Sequence, residues 1–480
     1  MSFELTTLGH YVKIQGGYAY KSHDFLGESN NKVLKIKNIR AGYVTYDDCS
    51  YISDELASKT KAWSVSEGDV LISMTGSGPN APQSLVGRVA RVWNGDAYLN
   101  QRVGRVVLKS NCSIHLDYIY YYLSQNSTQE YFVANSTGSA NQANISGKTI
   151  EDLPFPVVDF EDSYRISKIL LDLDKKILVN FNINQTLEQM AQALFKSWFV
   201  DFEPVKAKMA VLEAGGSQAD ATLAAMTTIS GKDADTLAVF EREQPEQYAE
   251  LKATAKLFPS VMQDSELGEI PEGWRSGTVT NVTDMVFSGG TPTTTKSEYW
   301  NGEFQWFSSG ETRNSIITNT EKTITKLGVE QSSTKESVLG DVLIASAGQG
   351  HTRGQTSLNM INTYINQSVV AVRPKNTMFT CWLYMNLRSR YEEMRAISDS
   401  HSSRGSLTTK LVSGMPVVIP DENILQKFEK SIFPLFDSVK LSQREINSLA
   451  QLRDTLLPKL LSGEITLPEA EQAVSEAENV

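Results

Sequence analysis

Cysteine is nearly absent from this chain: three in 480 residues, Cys49, Cys112 and Cys381, far apart and without a CxxC pair. That spacing excludes a disulfide scaffold and a zinc ribbon, and the thiols read as reduced and cytosolic. The five histidines are isolated from one another, and each reads as a surface or satisfied core residue rather than a ligand or base. No stretch approaches the ~18 uncharged apolar residues of a membrane span. Met1 to Gln15 also lacks a basic head followed by an apolar core. The expected location is therefore cytoplasmic, with no membrane partner, and triplets such as Asn126 to Thr128 carry no glycosylation meaning.

What is present is an ordinary folding composition, 40% hydrophobic and 21% charged. At roughly 100 to 200 residues per domain the length allows two to four units. A formal charge of −11 argues against a polyanionic partner, but its distribution weakens that argument. Residues 1–160 carry 14 basic and 15 acidic groups and residues 271–420 carry 14 and 12, whereas 205–270 and 421–480 each carry 6 and 11. Most of the acid lies in two flanking segments, and the two large blocks are close to neutral.

The chain repeats itself. Gly68-Asp69-Val70-Leu71-Ile72 recurs as Gly340-Asp341-Val342-Leu343-Ile344, at an offset of 272. Gln15-Gly16-Gly17 is matched to Ser288-Gly289-Gly290 at 273, and Tyr98-Leu99-Asn100-Gln101 to Tyr364-Ile365-Asn366-Gln367 at 266. From Lys148/Lys410 and Pro154/Pro416 onward the offset is a constant 262. In that ungapped part, apolar residues spaced alternately four and three apart form a heptad seam. They are Ile166, Leu170, Leu173, Ile177, Leu187, Ala191, Leu194 and Trp198, answered by Phe428, Ile432, Leu435, Val439, Ile446, Leu449, Leu456 and Leu460. Each helix covers about 35 residues, roughly 50 Å. Two matched seams in one chain pack most simply against each other as an intramolecular coiled coil. Asn180 and Asn184 are polar seam positions that fix register, and Pro434 is expected to kink the second helix.

The blocks before each helix read as strand and turn, with Asp117 to Phe132 and Cys381 to Met394 as one buried helix in each. The connector between the halves reads as a solvated, charged linker holding short exposed helices. Catalytic patterns are missing. Ser146-Gly147-Lys148-Thr149 resembles the end of a phosphate loop, but the upstream glycine position is Gln142. Gly76-Ser77-Gly78-Pro79-Asn80-Ala81 mimics a dinucleotide fingerprint, yet Pro79 and Pro82 lead into another strand rather than a helix. No carboxylate pairs with a histidine at helix-face spacing. The turns are instead rich in Ser, Thr, Asn, Gln, Arg and Gly, the residues that hydrogen-bond base edges and phosphates.

Once the repeat is laid out, nearly the whole chain resembles the specificity subunit of a type I restriction-modification system. The resemblance rests on the paired Gly-Asp-Val-Leu-Ile strands and the Ser288-Gly289-Gly290-Thr291-Pro292 turn. It rests also on Asp264-Ser265-Glu266-Leu267-Gly268-Glu269-Ile270-Pro271-Glu272-Gly273-Trp274, on Leu456 to Ile465, and on Ala193 to Phe199. The first block departs from the pattern, since Gln15-Gly16-Gly17-Tyr18 lacks the Thr-Pro of the second.

The resemblance implies an α+β fold: two globular α/β target recognition domains joined by two long antiparallel helices that form a coiled-coil spacer, with an internal pseudo-two-fold repeat. The expected divisions are recognition domain 1–160, helix 161–203, acidic connector 204–272, recognition domain 273–422, helix 423–463 and acidic tail 464–480. It further implies a non-catalytic subunit that reads a bipartite target in double-stranded DNA while the helices set the gap. The implied partners are two modification subunits, which carry the S-adenosylmethionine, and restriction subunits; this chain itself would bind no cofactor and no metal.

Expected DNA contacts are the turns beside the duplicated strands: Ser73, Thr75, Ser77, Asn80, Arg102, Asn141 and Gln142, then Thr291, Thr293, Lys296, Gln349, Arg353, Ser403 and Arg404. The expected partner-binding residues, at the repeated helix ends, are Trp198, Phe199, Leu460 and Leu461. Asn100-Gln101 and Asn366-Gln367 repeat unchanged and are assigned a structural job. A stand-alone duplicated DNA-binding regulator is the alternative; it would be net basic and act without partners. A pure assembly scaffold would show no DNA sequence preference.

Overall fold

The protein is described by a computed structural model covering residues 4–77, 86–110, 112–139, 142–348, 350–401 and 405–478. It divides into two compact units, Met1–Leu178 with Asn447–Val480, and Val179–Ile446. The fold is α+β, and two antiparallel long helices each contribute one half to each unit.

In the first unit a five-stranded sheet runs in the order Val12–Gly16, Val103–Leu108, Val70–Ser73, Val89–Arg91, Gly42–Tyr43. Alternation along these strands gives the sheet two buried faces. Val12, Ile14, Val70, Ile72 and Val106 pack against helices, whereas Leu71, Ala90 and Val103 pack with Leu34, Val65 and Leu99 of a four-stranded sheet. The expected single helix is two, Leu116–Leu123 and Asn126–Ala134, because Gln125 is extended between them. Leu170 and Leu173 of the first long helix share this core with Leu449, Leu456 and Leu460 of the second.

The second unit repeats that topology strand for strand. Its five-stranded sheet is Thr283–Ser288, Val369–Pro374, Val342–Ala345, Thr356–Asn359, Ile316–Ile317, again backed by a four-stranded sheet. The duplicated Gly-Asp turn has a backbone reason. Gly68 and Gly340 both sit at φ +93, where a Cβ is disfavoured. Asp69 and Asp341 each accept a backbone N–H three residues back, from Ser66 and Val338, both at 3.0 Å. The glycine turn is matched one residue off: Gly16 pairs with Gly104 and Ser288 with Val370, so Gly17 corresponds to Gly289 at the same offset of 272. Cys381 to Met394 is again two helices, Thr380–Ser389 and Tyr391–His401, interrupted at Arg390.

The long helices span Phe160–Phe199 and Glu422–Ser462. Repeat-equivalent aspartates cap them: Asp159 accepts from Asp162 N and Asp421 from Asn423 N, each at 2.8 Å. Pro434 lies inside an uninterrupted helix. Phe195 packs on Phe428 within the second unit, and Asp174 pairs with Arg453 within the first, which is the antiparallel arrangement. The Ser442 hydroxyl donates to the Asn180 carbonyl. These two residues, both in the second unit, are each other's repeat equivalents.

The connector is not a solvated linker. Helices Glu203–Glu213, Gln218–Ser230, Ala234–Glu243 and Pro245–Leu257 surround a small core of Ala225, Met226, Leu237 and Ala255. Val205 and Phe258 enter the main core of the second unit. The acidic tail likewise forms a helix, Leu467–Glu478, with Ala470 fully buried in the first unit. At the offset of 262 Val205 corresponds to Leu467, so the first connector helix and the tail helix are the same element of the repeat.

Candidate nucleic-acid interface

The strands Val12–Gly16 and Val70–Ser73 both run antiparallel to Val103–Leu108 and end where it begins. Three chain segments therefore meet at one end of the sheet. Met74 N donates to Arg102 O (2.9 Å) and Gly17 N to Val103 O (3.0 Å). A fourth arrives from 70 residues away: the strand Gln142–Asn144 pairs with Thr75–Gly76, and Ile145 N donates to Met74 O at 3.0 Å. The second unit makes the same convergence. Ser346 N donates to Ser368 O and Leu407 N to Ser346 O, both at 2.8 Å, and these are the repeat equivalents of the Met74–Arg102 and Ile145–Met74 bonds.

Of the described expected contacts, Ser73, Thr75, Arg102 and Gln142 lie on the segments that converge in the first unit, and the described contacts are not equally presented. Arg102 and Gln142 in the first unit and Thr293 and Lys296 in the second are exposed. Lys296 lies over the Tyr299 ring and donates to its hydroxyl at 2.9 Å. Ser73, Thr75 and Ser77 are buried. Ser73 Oγ accepts from Arg88 N (2.9 Å), and the Thr75 hydroxyl donates to Asn144 Oδ1 (2.8 Å). Thr291 is half-buried and donates to the Gln367 carboxamide. The Arg353 side chain is buried, donating to Gly405 O at 2.5 Å and paired with Asp399 of the helix Tyr391–His401, so it clasps its own loop to both segments. Asn80, Asn141, Gln349, Ser403 and Arg404 lie outside the described residues.

The expected partner-binding residues lie inside the two units. Trp198, Phe199, Leu460 and Leu461 are all buried. Trp198 makes an edge contact with Phe258, ring centroids 5.1 Å apart, and Phe199 with Phe428 at 4.9 Å. Leu460 and Leu461 enter the core of the first unit. A side chain spent on a core has no surface to offer a partner. Exposed apolar positions on the long helices lie elsewhere and include Phe160, Val179, Phe181, Ile183, Met190 and Leu441.

The residue pattern missed three groups at the same edges: Arg40, Arg88 and Gln355. The turn Arg40 to Tyr43, whose Gly42 pairs with Ala90, brings Arg40 close enough to Arg88 for its charge to act there. Burial first, and the Arg40 charge second, lower the Arg88 pKa. Arg88 is hidden in sequence because it immediately precedes an apolar strand, Val89–Arg91, and reads as part of it. The phosphate-loop look-alike is a helix start: Ser146 Oγ accepts from Thr149 N at 3.0 Å, and Lys148 pairs with Asp152. Among the described residues no group of three His, Cys, Asp or Glu is placed to hold a metal ion, and no helix is long and apolar enough to cross a membrane.

The Type I restriction modification DNA specificity domain family matches this chain twice, over residues 2–189 and 271–451. Among similar proteins is the Type I restriction enzyme HindI specificity subunit of Haemophilus influenzae, 32% identical over 371 residues, covering 75% of this chain and 80% of the relative. Another is the MjaIX specificity subunit of Methanocaldococcus jannaschii, 22% identical over 350 residues, 73% of this chain and 69% of the relative. In fold the chain is similar to a type I restriction-modification S subunit from M. genitalium, with a TM-score of 0.55, 97% of each chain covered and 15% identity.

Proposed function

The chain belongs to the Type I restriction modification DNA specificity family, and on that premise we propose that it is the non-catalytic subunit that reads a split DNA sequence for a restriction-modification complex. Each unit reads one half-site with the edge described above, and the long helices set the gap between the halves. The observation that carries this reading is the duplicated convergence of the same chain segments at equivalent sheet ends. One reader duplicated on a rigid element suits a target of two short motifs at fixed spacing, with base contacts on the loops and register set by the scaffold. Membership in this family and the net charge of −11 disfavour a stand-alone regulator.

Chemistry belongs to the partners. Modification subunits would carry S-adenosylmethionine and restriction subunits the cleavage machinery, all acting in the cytoplasm. Two modification subunits fit the helix pair. Midway along it the inward groups are polar: Asn180 donates to Glu445 at 2.9 Å, and Asn184 is buried. The outward groups are apolar, with the repeat equivalents Val179 and Leu441 exposed at 55% and 58%. Such an inverted pattern calls for a cover, and the repeat offers it twice.

The test is retention of DNA from a randomised duplex pool by the chain assembled with its modification subunits. Two short motifs separated by a fixed unspecified gap are expected. A single contiguous motif bound without partners would favour the regulator, and no enrichment from an intact assembly would leave only a scaffold.

A further inference from the structure

Two equivalent strand starts carry different side chains. Leu71 pairs with Ala90 and Leu343 with Ser357, so at the repeat offset of 272 for the Leu71 strand, Arg88 and Gln355 occupy the same position. The backbone agrees: Ser73 N donates to Arg88 O at 2.8 Å, and Ala345 N to Gln355 O at 3.0 Å. Both residues are half-buried and immediately precede a strand at the edge where the loop segments converge.

Their neighbours differ in charge. The carbonyls of Gly42 and Ser315 accept the same tyrosine contact, from Tyr120 at 3.2 Å and Tyr384 at 3.0 Å, which makes Arg40 and Arg313 equivalents. Arg40 is exposed and adds a second positive charge beside Arg88. Arg313 is instead tied to Glu321 and donates to Gly310 O at 2.8 Å, so the second edge is close to neutral at this point. Gln355 Oε1 lies 3.3 Å from the Thr312 hydroxyl, whose shorter bond goes to Ser309 O at 2.7 Å, so the carboxamide keeps its acceptor capacity.

In the major groove guanine presents two acceptors, O6 and N7, matching the paired donors of a guanidinium. Adenine presents an acceptor and a donor, matching a carboxamide. We propose that this shared position determines specificity, with Arg88 reading a guanine in the half-site of the first unit and Gln355 an adenine in that of the second. The assignment rests on the split-reader function proposed above. Partial burial sharpens the choice at Gln355, since a wrong base leaves a desolvated donor or acceptor unpaired.

The experiment compares the assembled complex carrying the native chain, Arg88→Gln, Arg88→Lys or Gln355→Arg for the motif retained from a randomised duplex pool, at several salt concentrations. Arg88→Gln is expected to lose the guanine preference at one position of one half-site by roughly ten- to a hundredfold. The gap and the other half-site should not change. Arg88→Lys should weaken the same preference without moving it, and Gln355→Arg should alter an adenine position in the other half only. Thermal unfolding identifies a variant that fails to fold, and the variant in the other unit then decides. Unchanged motifs from folded variants overturn the assignment. So does uniform weakening across all bases with a shallower salt dependence, which marks a phosphate contact. Absence of a bipartite motif with the native chain overturns the proposed function instead.

Discussion

Gly289 shows how a single residue ties the candidate edge to the sheet behind it. A Cβ there would stand 1.9 Å from Ile365 O, and one at its equivalent Gly17 would stand 2.1 Å from Asn100 O. Gly289→Ala should therefore lower stability by about 1–3 kcal/mol, read as a fall in Tm and in the urea midpoint. Glu429 makes a second residue-scale prediction. Its carboxylate accepts from Cys381 N at 2.8 Å, but burial outweighs that bond and pushes its pKa up to about 7. The folded state thus holds a proton that the unfolded chain releases near pH 4 to 5. Stability from this group is present below that range and lost as pH rises toward 7. Glu429→Gln should raise Tm at pH 8 relative to the native chain and remove part of the decline between pH 5 and 8; a parallel decline in both proteins would count against it. Residue types alone pointed to turns beside the duplicated strands, because Ser, Asn and Arg cluster there. They did not separate exposed Arg102 from buried Arg353, since the Asp399 that claims Arg353 lies 46 residues on.

Among the elements, the long helices were legible because their seam recurs at constant offset. Their pairing depends on groups that no heptad pattern shows. Asp174 is buried, pairs with Arg453 and accepts from the Tyr121 hydroxyl at 2.7 Å. Asp174→Ala leaves a guanidinium and a phenol without that partner and should cost about 3 kcal/mol or more, measured by denaturant unfolding. Replacing Val179 and Leu441 together with Ser should leave Tm within a few degrees, because both are exposed, yet reduce co-purification of the modification subunit. Retained co-purification would move the docking surface elsewhere. The connector was misread because its helices are short, Ala-rich and charged. Their apolar residues, such as Met226 and Leu237, are few and find one another only in three dimensions. Trp198 and Phe199 are larger than a two-helix seam needs, and they serve a core completed by Phe258, Trp274 and Phe428.

At the scale of the whole molecule the prediction concerns modularity. Each unit has its own sheets and cores, so exchanging residues 273–422 with the matching segment of a relative should alter one half-site and leave the other half and the gap unchanged, as read from the retained pool. A change in both halves would contradict independent reading. The sequence by itself determined the duplication, the two long helices and the family, because each depends on local periodicity or on residue order that survives without coordinates. The tertiary structure alone decided the one-residue correction at Gly17, the folded connector, the burial of the helix ends and the equivalence of Arg88 and Gln355 in the repeat. Those depend on strand register and on contacts between segments far apart in the chain, which composition and spacing do not encode.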